Sequence, residues 1–576
     1  MWFTGDLSLT KHQPEKTGRA MPRPLVWLPL AAAGLLGVVW LVLAFAEPFS
    51  IQDDARQHVA WFEAMRDPRL FQGDFIAAFF VGSNTPIYKA LYWLPAQLGV
   101  SPLLMAKLYP VLLTLLTAWL TWRFLLTTGI GGLAAALGAV LFVQGIWLSD
   151  DIASATARAF SWPMLMAVLV CWREKRPWAG AACGVLLALL YPTAAVFAGG
   201  LIGLMCLVGL RERPASFRHV LAGWTSPAIV VAGLFAGALA ALVMGTGSGI
   251  VSLAEARQMA EFQQGGRTAF FVSDPVKFWL LAKRSGALPE PVLRHVVMLV
   301  LVVLAALRWK RLPADVRSLG LSSIAVGLIL WAAAHLLLFK LYLPGRYPLI
   351  GERIAFAVLA GGALAVWLPQ TWGPLQRRLG QGLVAALVAL PLLALLVPPR
   401  VLGLISVPEA PGLMRVLAQT PPDTLVAGLS PDLDNVPAAA KRRVLTAREY
   451  HLPYDVNYVD AMRLRLADTV SAVFAPGPEG VRTLVQRYGV THILIDKSEV
   501  TPSGAQQSWW WPILQQDGHL PDCAQARCPV WVLEQGQCVV ASEGKQVLFS
   551  AACLLRAAPG AAGAGRLSGG LRPAGG

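Results

Sequence analysis

Two adjacent carboxylates follow the first long apolar run of the chain, and a histidine lies one helical turn beyond them. Asp53, Asp54 and His58 occur in FSIQDDARQHVAW, residues 49–61. Residues 50–53 have the spacing of a capping box, which predicts a helix that places Asp54 and His58 on one face. The helix dipole explains one aspartate in a first turn, but two adjacent carboxylates repel each other. Asp53 and Asp54 are therefore candidate general bases.

A second aspartate pair occurs where another apolar run ends. Asp150 and Asp151 lie in LSDDIASATARAFSWP, residues 148–163, and Arg158 follows them. Carboxylates from separate loops are the ligands that a hard divalent cation such as Mg²⁺ or Mn²⁺ prefers. Such a cation could neutralise a phosphate or pyrophosphate leaving group. Asp150 and Asp151 are therefore candidate metal ligands, with a helix cap as the structural alternative.

Two further polar segments carry charges that could bind an anionic ligand. The charged residues of 252–275 include a group that also fits a solvated amphipathic helix: Glu255, Arg257, Glu261 and Arg267. Residues 339–353, FKLYLPGRYPLIGER, contain a basic and aromatic group whose alternative role is snorkelling to lipid headgroups: Lys340, Arg346, Tyr347 and Arg353. The candidate substrate-binding residues are His58, Arg158, Glu255, Arg257, Arg346 and Tyr347.

The elements that position these residues are predicted to be membrane helices. Hydrophobic residues make up 56% of the 576 residues and charged residues 14%, and the mean hydropathy is +0.56. A soluble protein could not cover so much apolar surface, so the composition predicts a polytopic α-helical membrane protein. About eleven spans are expected, the fifth and sixth forming a broken pair at Tyr191-Pro192-Thr193: 25–46, 103–126, 130–148, 158–172, 178–192, 194–210, 220–243, 292–308, 319–340, 350–368 and 381–398.

The net charge of +15 is explained by membrane topology rather than by nucleic acid binding. The basic clusters lie in alternate loops between the spans, so they share one side of the membrane. The positive-inside rule assigns such loops to the cytoplasm. The aspartate pairs and Arg346 then lie outside the cytoplasm, as does the chain after residue 399. Residues 44–46, Ala-Phe-Ala, resemble a signal-peptidase site, but the apolar run is long and favours an uncleaved anchor.

Four segments are predicted along the chain. A basic cytoplasmic tail (1–24) precedes the transmembrane domain (25–400), and a small extracytoplasmic α/β domain (401–555) precedes a disordered Gly/Ala-rich tail (556–576). In the α/β domain, residues 443–474 favour helix, and GVTHILID (489–496) favours a buried strand. Its four cysteines indicate disulfides of undetermined pairing: Cys523, Cys528, Cys538 and Cys553.

The order of these motifs resembles the GT-C superfamily of integral-membrane glycosyltransferases. QDDARQH (52–58) looks like the acidic motif of its first external loop, and SDDIASATARAF (149–160) looks like the second. LPGRY (343–347) is similar to a Pro-x-Arg-Tyr element near a late span, and residues 432–496 resemble a terminal domain of bacterial members. The second motif is Asp-Asp rather than the spaced pair of metal-dependent oligosaccharyl transferases. Trp-Trp-Trp-Pro (509–512) lacks the aspartate of their signature, which argues against asparagine glycosylation.

The resemblance covers residues 1–500 and implies a function. It implies an inverting transferase that moves a sugar from a polyprenyl-phosphate-linked donor to an extracytoplasmic glycan, lipid or protein, at the bacterial cytoplasmic membrane. Asp53 or Asp54 would act on the acceptor hydroxyl, and Arg346 would hold the lipid phosphate. A lipid or polysaccharide transporter and a non-catalytic subunit of envelope glycan assembly remain the alternatives. A transporter would carry its ionisable residues near the membrane midplane, whereas here they lie mostly at the ends of spans.

Overall fold

The computed structural model describes residues 23–147, 151–212, 217–244, 249–289, 292–368, 373–396, 403–521 and 528–557. Helices dominate the described part, with a small sheet near its end. The helices are α1 Trp27–Ala44, α2 Asp53–His58, α3 Phe75–Gly82, α4 Pro86–Gln97, α5 Pro102–Leu126, α6 Gly132–Trp147, α7 Ala157–Arg173, α8 Pro177–Leu190, α9 Pro192–Glu212, α10 Phe217–Met244, α11 Leu253–Gln258, α12 Val292–Leu307, α13 Ala314–Leu336, α14 Arg346–Trp367, α15 Pro374–Ala389, α16 Pro411–Gln419, α17 Val436–Ala439, α18 Val456–Val473, α19 Glu479–Tyr488, α20 Pro502–Gln507, α21 Trp511–Gln516, α22 Trp531–Glu534 and α23 Ala551–Ala557.

The apolar helices make this a multi-pass membrane protein. Six helical segments in the described ranges are long and apolar enough to cross a bilayer: Trp27–Ala44, Pro102–Leu126, Pro192–Gly209, Ala314–Leu336, Arg346–Trp367 and Pro374–Leu396. Four shorter apolar helices accompany them: Gly132–Trp147, Pro177–Leu190, Thr225–Ala240 and Val296–Leu307. Each of the eleven predicted spans therefore coincides with a helix, but the number that crosses the membrane stays a prediction.

Helix α14 lies at the centre of the helical bundle and carries a candidate residue, Arg346, at its first position. It packs against α6, α12 and α13. Small residues allow these approaches: a Cβ on Gly138 of α6 would lie 3.2 Å from the Cα of Gly361, and one on Gly351 would lie 2.5 Å from the carbonyl oxygen of Ser323. Close packing through glycine is the usual way in which membrane helices meet without a hydrophobic driving force between them.

A short sheet ties the segment after α1 to the start of the C-terminal domain. Strand β1, Ile51–Gln52, pairs antiparallel with β2, Ile405–Ser406. The pairing keeps residues 51 and 52 extended, so α2 starts at Asp53 with Gln52 as its N-cap, whose side chain accepts from the Ala55 N–H at 2.9 Å. The predicted cap at Ser50 is wrong, because the Ser50 hydroxyl donates instead to the Ala44 carbonyl at 2.6 Å.

The C-terminal domain is built on a five-stranded mixed sheet of β3 Leu425–Leu429, β4 Arg443–Val444, β5 His492–Asp496, β6 Val539–Glu543 and β7 Gln546–Ser550. The strand order is β4-β3-β5-β7-β6. Strands β4, β3 and β5 are parallel, and β7 is antiparallel to β5 and β6. The strand predicted at residues 489–496 is confirmed as β5, three of whose residues are fully buried. The helix predicted over residues 443–474 forms only over Val456–Val473, as α18, because residues 443–444 pair with β3 as strand β4.

The cysteines of this domain form disulfides, as their number indicated. Cys538 and Cys553 are bonded to each other, which ties the segment before β6 to α23. Cys528 is disulfide-bonded as well. Cys523 lies outside the described residues. The three cysteines of the helical bundle, Cys171, Cys183 and Cys206, are free.

Candidate functional site

A cavity of about 270 Å³ lies where α2, the start of α7, the α8–α9 break and the start of α14 meet the C-terminal domain. It adjoins a smaller cavity of about 10 Å³, lined by Asp151 and sharing Arg158, Tyr191 and Arg346. The larger cavity, called here the arginine cavity, is lined by Asp54, Gln57, His58, Asn84, Thr156, Ala157, Arg158, Tyr191, Arg267, Thr268, Arg284, Tyr342, Leu343, Arg346, Leu452 and Tyr454.

The two adjacent aspartates of α2 point to different surroundings. Asp54 lines the arginine cavity, and its Oδ2 accepts from Nη2 of Arg158 at 2.5 Å. Asp53 is not among the lining residues; its Oδ1 accepts from Nη2 of Arg56 at 2.6 Å. Consecutive residues of a helix point about 100° apart, so only one of the pair can face a given cavity. Asp54 is therefore the carboxylate that a ligand in the cavity would contact.

Arg158 joins Asp54 to the second aspartate motif. Its Nε lies 3.1 Å from Oδ1 of Asp151, and Oδ2 of Asp151 accepts from Nη1 of Arg353. The turn between Asp151 and α7 is fixed by Ala155, whose φ of 50° is a left-handed conformation. The buried hydroxyl of Tyr92 donates to the Ala155 carbonyl at 2.7 Å and thereby holds this turn in place.

Arg346 and Arg284 reach the cavity from two segments that approach each other unusually closely. The Gly345 N–H donates to the Arg284 carbonyl at 2.9 Å, and a Cβ at Gly345 would lie 2.8 Å from the Lys283 carbonyl oxygen. Arg346 is 14% exposed, and its Nη1 lies 4.0 Å from Oδ1 of Asp151. Its Nε is buried without a hydrogen-bond partner in the described residues. Arg346 therefore retains donor capacity for a ligand.

The fourth arginine is held by an ion-pair network at the boundary with the C-terminal domain. Arg267 donates to Oε1 of Glu449, and Arg56 lies 3.2 Å from Oε2 of the same carboxylate. Arg56 also donates to Oδ1 of Asn435 at 2.8 Å. Burial, together with the neighbouring carboxylates Asp53 and Asp434, raises the pKa of Glu449. The network orients Arg267 toward the cavity.

The arginine cavity has a strong positive excess. Four guanidinium groups line it, from Arg158, Arg267, Arg284 and Arg346, against the one carboxylate of Asp54. Burial lowers the pKa of His58 to about 4, so its imidazole is neutral at physiological pH and adds no charge. Guanidinium groups in a partly desolvated site bind phosphate oxygens through paired N–H donors. The cavity can therefore bind a phosphate group beside a carboxylate.

The described carboxylates do not fit the predicted Mg²⁺ or Mn²⁺ site. The guanidinium of Arg158 lies between Asp54 and Asp151, where a cation bridging the two motifs would need to be. Among residues that the structure describes, no group of three His, Cys, Asp or Glu side chains could hold a metal. Asp150 lies outside these residues. The predicted cation is not confirmed.

Some of the other predicted site residues line the arginine cavity, and others do not. His58, Arg158 and Arg346 line the cavity with Asp54. Tyr347 does not line the cavity: it is buried, and its hydroxyl donates to the Leu341 carbonyl at 3.0 Å.

Glu255 and Arg257 do not line the cavity. Both are exposed on α11, in keeping with the solvated helix given as the alternative, and Glu255 completes a capping box with Ser252. The helix cap therefore accounts for Glu255 without a ligand.

Most lining residues were not among the predicted ligands, including two arginines and a tyrosine. Arg267 was noted only as part of an amphipathic segment, and Arg284 has no local motif. Tyr191 has a readable signal, because it lies at the predicted break between the fifth and sixth spans and α8 indeed ends one residue before it. Broken membrane helices often mark a binding site.

Comparisons with known proteins give similarities at the level of structure. No family model matches the chain, and no curated protein matches it. Among solved structures, the chain is similar to the Archaeoglobus fulgidus oligosaccharyltransferase tethered with an acceptor peptide, at 11% identity and a TM-score of 0.46, over 86% of this chain and 71% of the other.

Two further structures show similarities of the same order. One is the archaeal oligosaccharyltransferase AglB from Archaeoglobus fulgidus in complex with an inhibitory peptide and a dolichol-phosphate, at 11% identity and a TM-score of 0.45, over 84% of this chain and 71% of the other. The other is the arabinofuranosyltransferase AftD from Mycobacteria, at 16% identity and a TM-score of 0.43, over 82% of this chain and 36% of the other.

Proposed function

We propose that the chain is a GT-C membrane glycosyltransferase that moves a sugar from a polyprenyl-phosphate-linked donor to an extracytoplasmic acceptor. The observation that carries this proposal is the arginine cavity: four guanidinium groups around one carboxylate, at the first residue of an apolar helix. A polyprenyl phosphate would lie with its hydrocarbon chain along the apolar helices and with its phosphate group at the ends of those helices. A transporter site near the membrane midplane would not need this placement.

The residues of the cavity can carry out an inverting transfer. Asp54 accepts the proton of the acceptor hydroxyl while that oxygen forms a bond to the anomeric carbon of the sugar. The bond between the anomeric carbon and the phosphate oxygen breaks on the opposite face, and its electron pair leaves with the polyprenyl phosphate. Arg346 and Arg284 stabilise the charge that develops on the phosphate, as preorganised donors do in other sites. Arg158 orients Asp54.

Asp53 supports the same site without contacting the substrate. Its carboxylate binds Arg56, which in turn binds Glu449, the partner of Arg267. We therefore assign the base to Asp54 and a positioning role to Asp53, whereas the sequence alone slightly favours Asp53. The positive-inside pattern of the loops supports the extracytoplasmic placement of the site.

Binding of the product lipid tests the phosphate assignment without knowledge of the sugar, because every donor with a single phosphate between undecaprenol and its sugar would release undecaprenyl phosphate. Native mass spectrometry would compare wild-type protein with Arg346→Lys and Arg346→Ala. A charge-assisted hydrogen bond contributes about 1.5–3 kcal/mol, so Arg346→Ala should weaken binding roughly 10- to 150-fold. Arg346→Lys should lie between the two, because an ammonium cannot reproduce the planar fork.

Arg257→Ala provides the matched control, because Arg257 is an exposed arginine outside the cavity. It should bind the lipid like wild-type protein. Equal, near-normal binding by both Arg346 variants would contradict the phosphate assignment and leave Arg346 as a lipid-headgroup contact.

A further inference from the structure

The C-terminal domain contributes most of the lining of a second polar cavity. It measures about 290 Å³ and lies at the carboxyl ends of the parallel strands β4, β3 and β5. From β3 the chain leads first to β4 on one side and later to β5 on the other. Ligands of open α/β sheets bind at such a switch in strand order, beyond the carboxyl ends of the strands. We call this cavity the sheet crevice.

Two buried groups in the crevice lack partners in the described protein. Oγ1 of Thr446 and Nε1 of Trp510 are both buried without a hydrogen bond, and each residue is 1% exposed. Both residues line the crevice. A buried polar group without a partner is costly, and native structures contain few of them. Two such groups at one cavity indicate a ligand that can donate and accept hydrogen bonds.

The charges of the crevice disfavour a phosphate. Asp434 and Glu499 line it with one cation, Arg448. The arginine cavity has the opposite balance, with four guanidinium groups and one carboxylate. The two cavities therefore suit different ligands.

The remaining wall combines an aromatic face with hydroxyl and amide groups. Trp509 lines the crevice beside Ser430, Gln507 and Ser508. An indole face packs against the C–H surface of a sugar ring, while carboxylates, hydroxyls and amides bind its hydroxyl groups. The volume lies near the lower end of the roughly 300–1,000 Å³ that is usual for ligand pockets. A short oligosaccharide fits this chemistry and size.

We propose that the sheet crevice is a binding site for a short neutral saccharide. Binding there requires no transfer reaction, so the site stands independently of the function proposed for the arginine cavity. The two cavities are nevertheless neighbours: Arg448 lines the crevice, and the adjacent Glu449 holds Arg267 of the arginine cavity. A glycan bound in the crevice would lie next to the proposed donor site.

Saccharide binding can be measured on the full chain in lipid nanodiscs, which avoid glycoside detergents that would compete. The probes are immobilised neutral tetrasaccharides built from glucose, mannose, galactose or arabinose, with sialylated and phosphorylated glycans as the charged set. At least one neutral glycan should bind, and Trp509→Ala should weaken its binding about tenfold or more. Thr446→Val should also weaken it, because a methyl group replaces the unpartnered hydroxyl.

Trp511→Ala is the matched control, because Trp511 belongs to the same tryptophan run but does not line the crevice. It should bind like wild-type protein, and the melting temperature of each variant would establish that it is folded. Absence of binding to every neutral glycan would overturn the proposal, as would binding of charged glycans alone. The same holds if Trp509→Ala and Trp511→Ala weaken binding equally.

Discussion

At the residue scale, the site depends on which charges face one another across the arginine cavity. Asp54 is the carboxylate that a bound acceptor would meet, and Arg158 fixes its orientation through a contact of 2.5 Å. Arg158 also contacts Asp151, so one guanidinium joins the two acidic motifs. The positive charge between the carboxylates of Asp54 and Asp151 is therefore supplied by the side chain of Arg158. Arg346 has only a 4.0 Å contact with the Asp151 carboxylate and a buried Nε without a hydrogen-bond partner in the described residues, so it retains donor capacity for a phosphate.

The neutral state of His58 has a measurable consequence for stability. Burial lowers the pKa of His58 from 6.5 to about 4. The charges of Arg158 and Arg267 also lower this pKa, whereas the charge of Asp54 raises it. The unfolded chain therefore binds more protons than the folded one between pH 6.5 and 4, so the folded state loses stability as the pH falls through that window. His58→Gln removes this contribution.

Thermal unfolding of both proteins across that pH range would test the assignment. The melting temperature of the wild-type protein should fall more steeply on acidification than that of His58→Gln, and the two should run parallel above pH 6.5. Curves that stay parallel down to pH 4 would contradict a buried, neutral His58.

At the element scale, the site is assembled from helix ends rather than from helix faces. The break at Tyr191, the left-handed turn at Ala155 and the start of α14 at Arg346 each bring a residue at or beside a helix end to the cavity. Gly345 lies in close contact with the Lys283–Arg284 backbone.

Substitution of Gly345 tests whether that contact positions Arg284 and Arg346 together. In Gly345→Ala, the new methyl group would overlap the Lys283 carbonyl oxygen at 2.8 Å and push the segment away from α14. Undecaprenyl phosphate binding should fall, although no charge is removed. Gly382→Ala is the control, because a Cβ there meets no atom within 4 Å. Unchanged lipid binding in Gly345→Ala would show that the two arginines act separately.

The sequence predicted the local parts of this site better than the distant ones. Asp54, His58, Arg158 and Arg346 could be found because charge beside an apolar run is unusual and costly. Glu449 and Arg284 could not, because their roles come from contacts across the fold: Glu449 meets Arg56, 393 residues before it in the chain. The cap of α2 was misplaced for the same reason, since β2 pairs with the residues just before it.

At the scale of the whole molecule, the helical bundle and the C-terminal domain enclose the site together. The bundle contributes Asp54, Arg158 and Arg346, while the domain contributes Glu449, Leu452 and Tyr454 to the cavity or its boundary. The order and character of the helices and the buried strand β5 follow from hydropathy. Their packing does not, because it depends on glycine contacts such as that between Gly138 and Gly361.

Sidedness of the membrane domain is the topological basis of the proposed function. If the positive-inside rule sets it, Gln72→Cys should react with a membrane-impermeant maleimide in intact cells whose outer barrier admits the reagent. Arg176→Cys should react only after lysis; both positions are exposed in the structure. The wild-type protein is the control for background labelling of the native cysteines. Labelling of Arg176→Cys in sealed cells would place the arginine cavity on the cytoplasmic side.

The most direct test of the central claim is the profile of lipid-linked sugars in cells that carry Asp54→Asn in place of the wild-type protein. Loss of a general base typically costs about 10²- to 10⁴-fold in rate, so this strain should accumulate the same polyprenyl-phosphate-linked sugar as a deletion strain, with the protein present at normal levels. Asp67→Asn, which alters a carboxylate of the same loop outside the cavity, should give a wild-type profile. A wild-type profile in the Asp54→Asn strain would contradict the account.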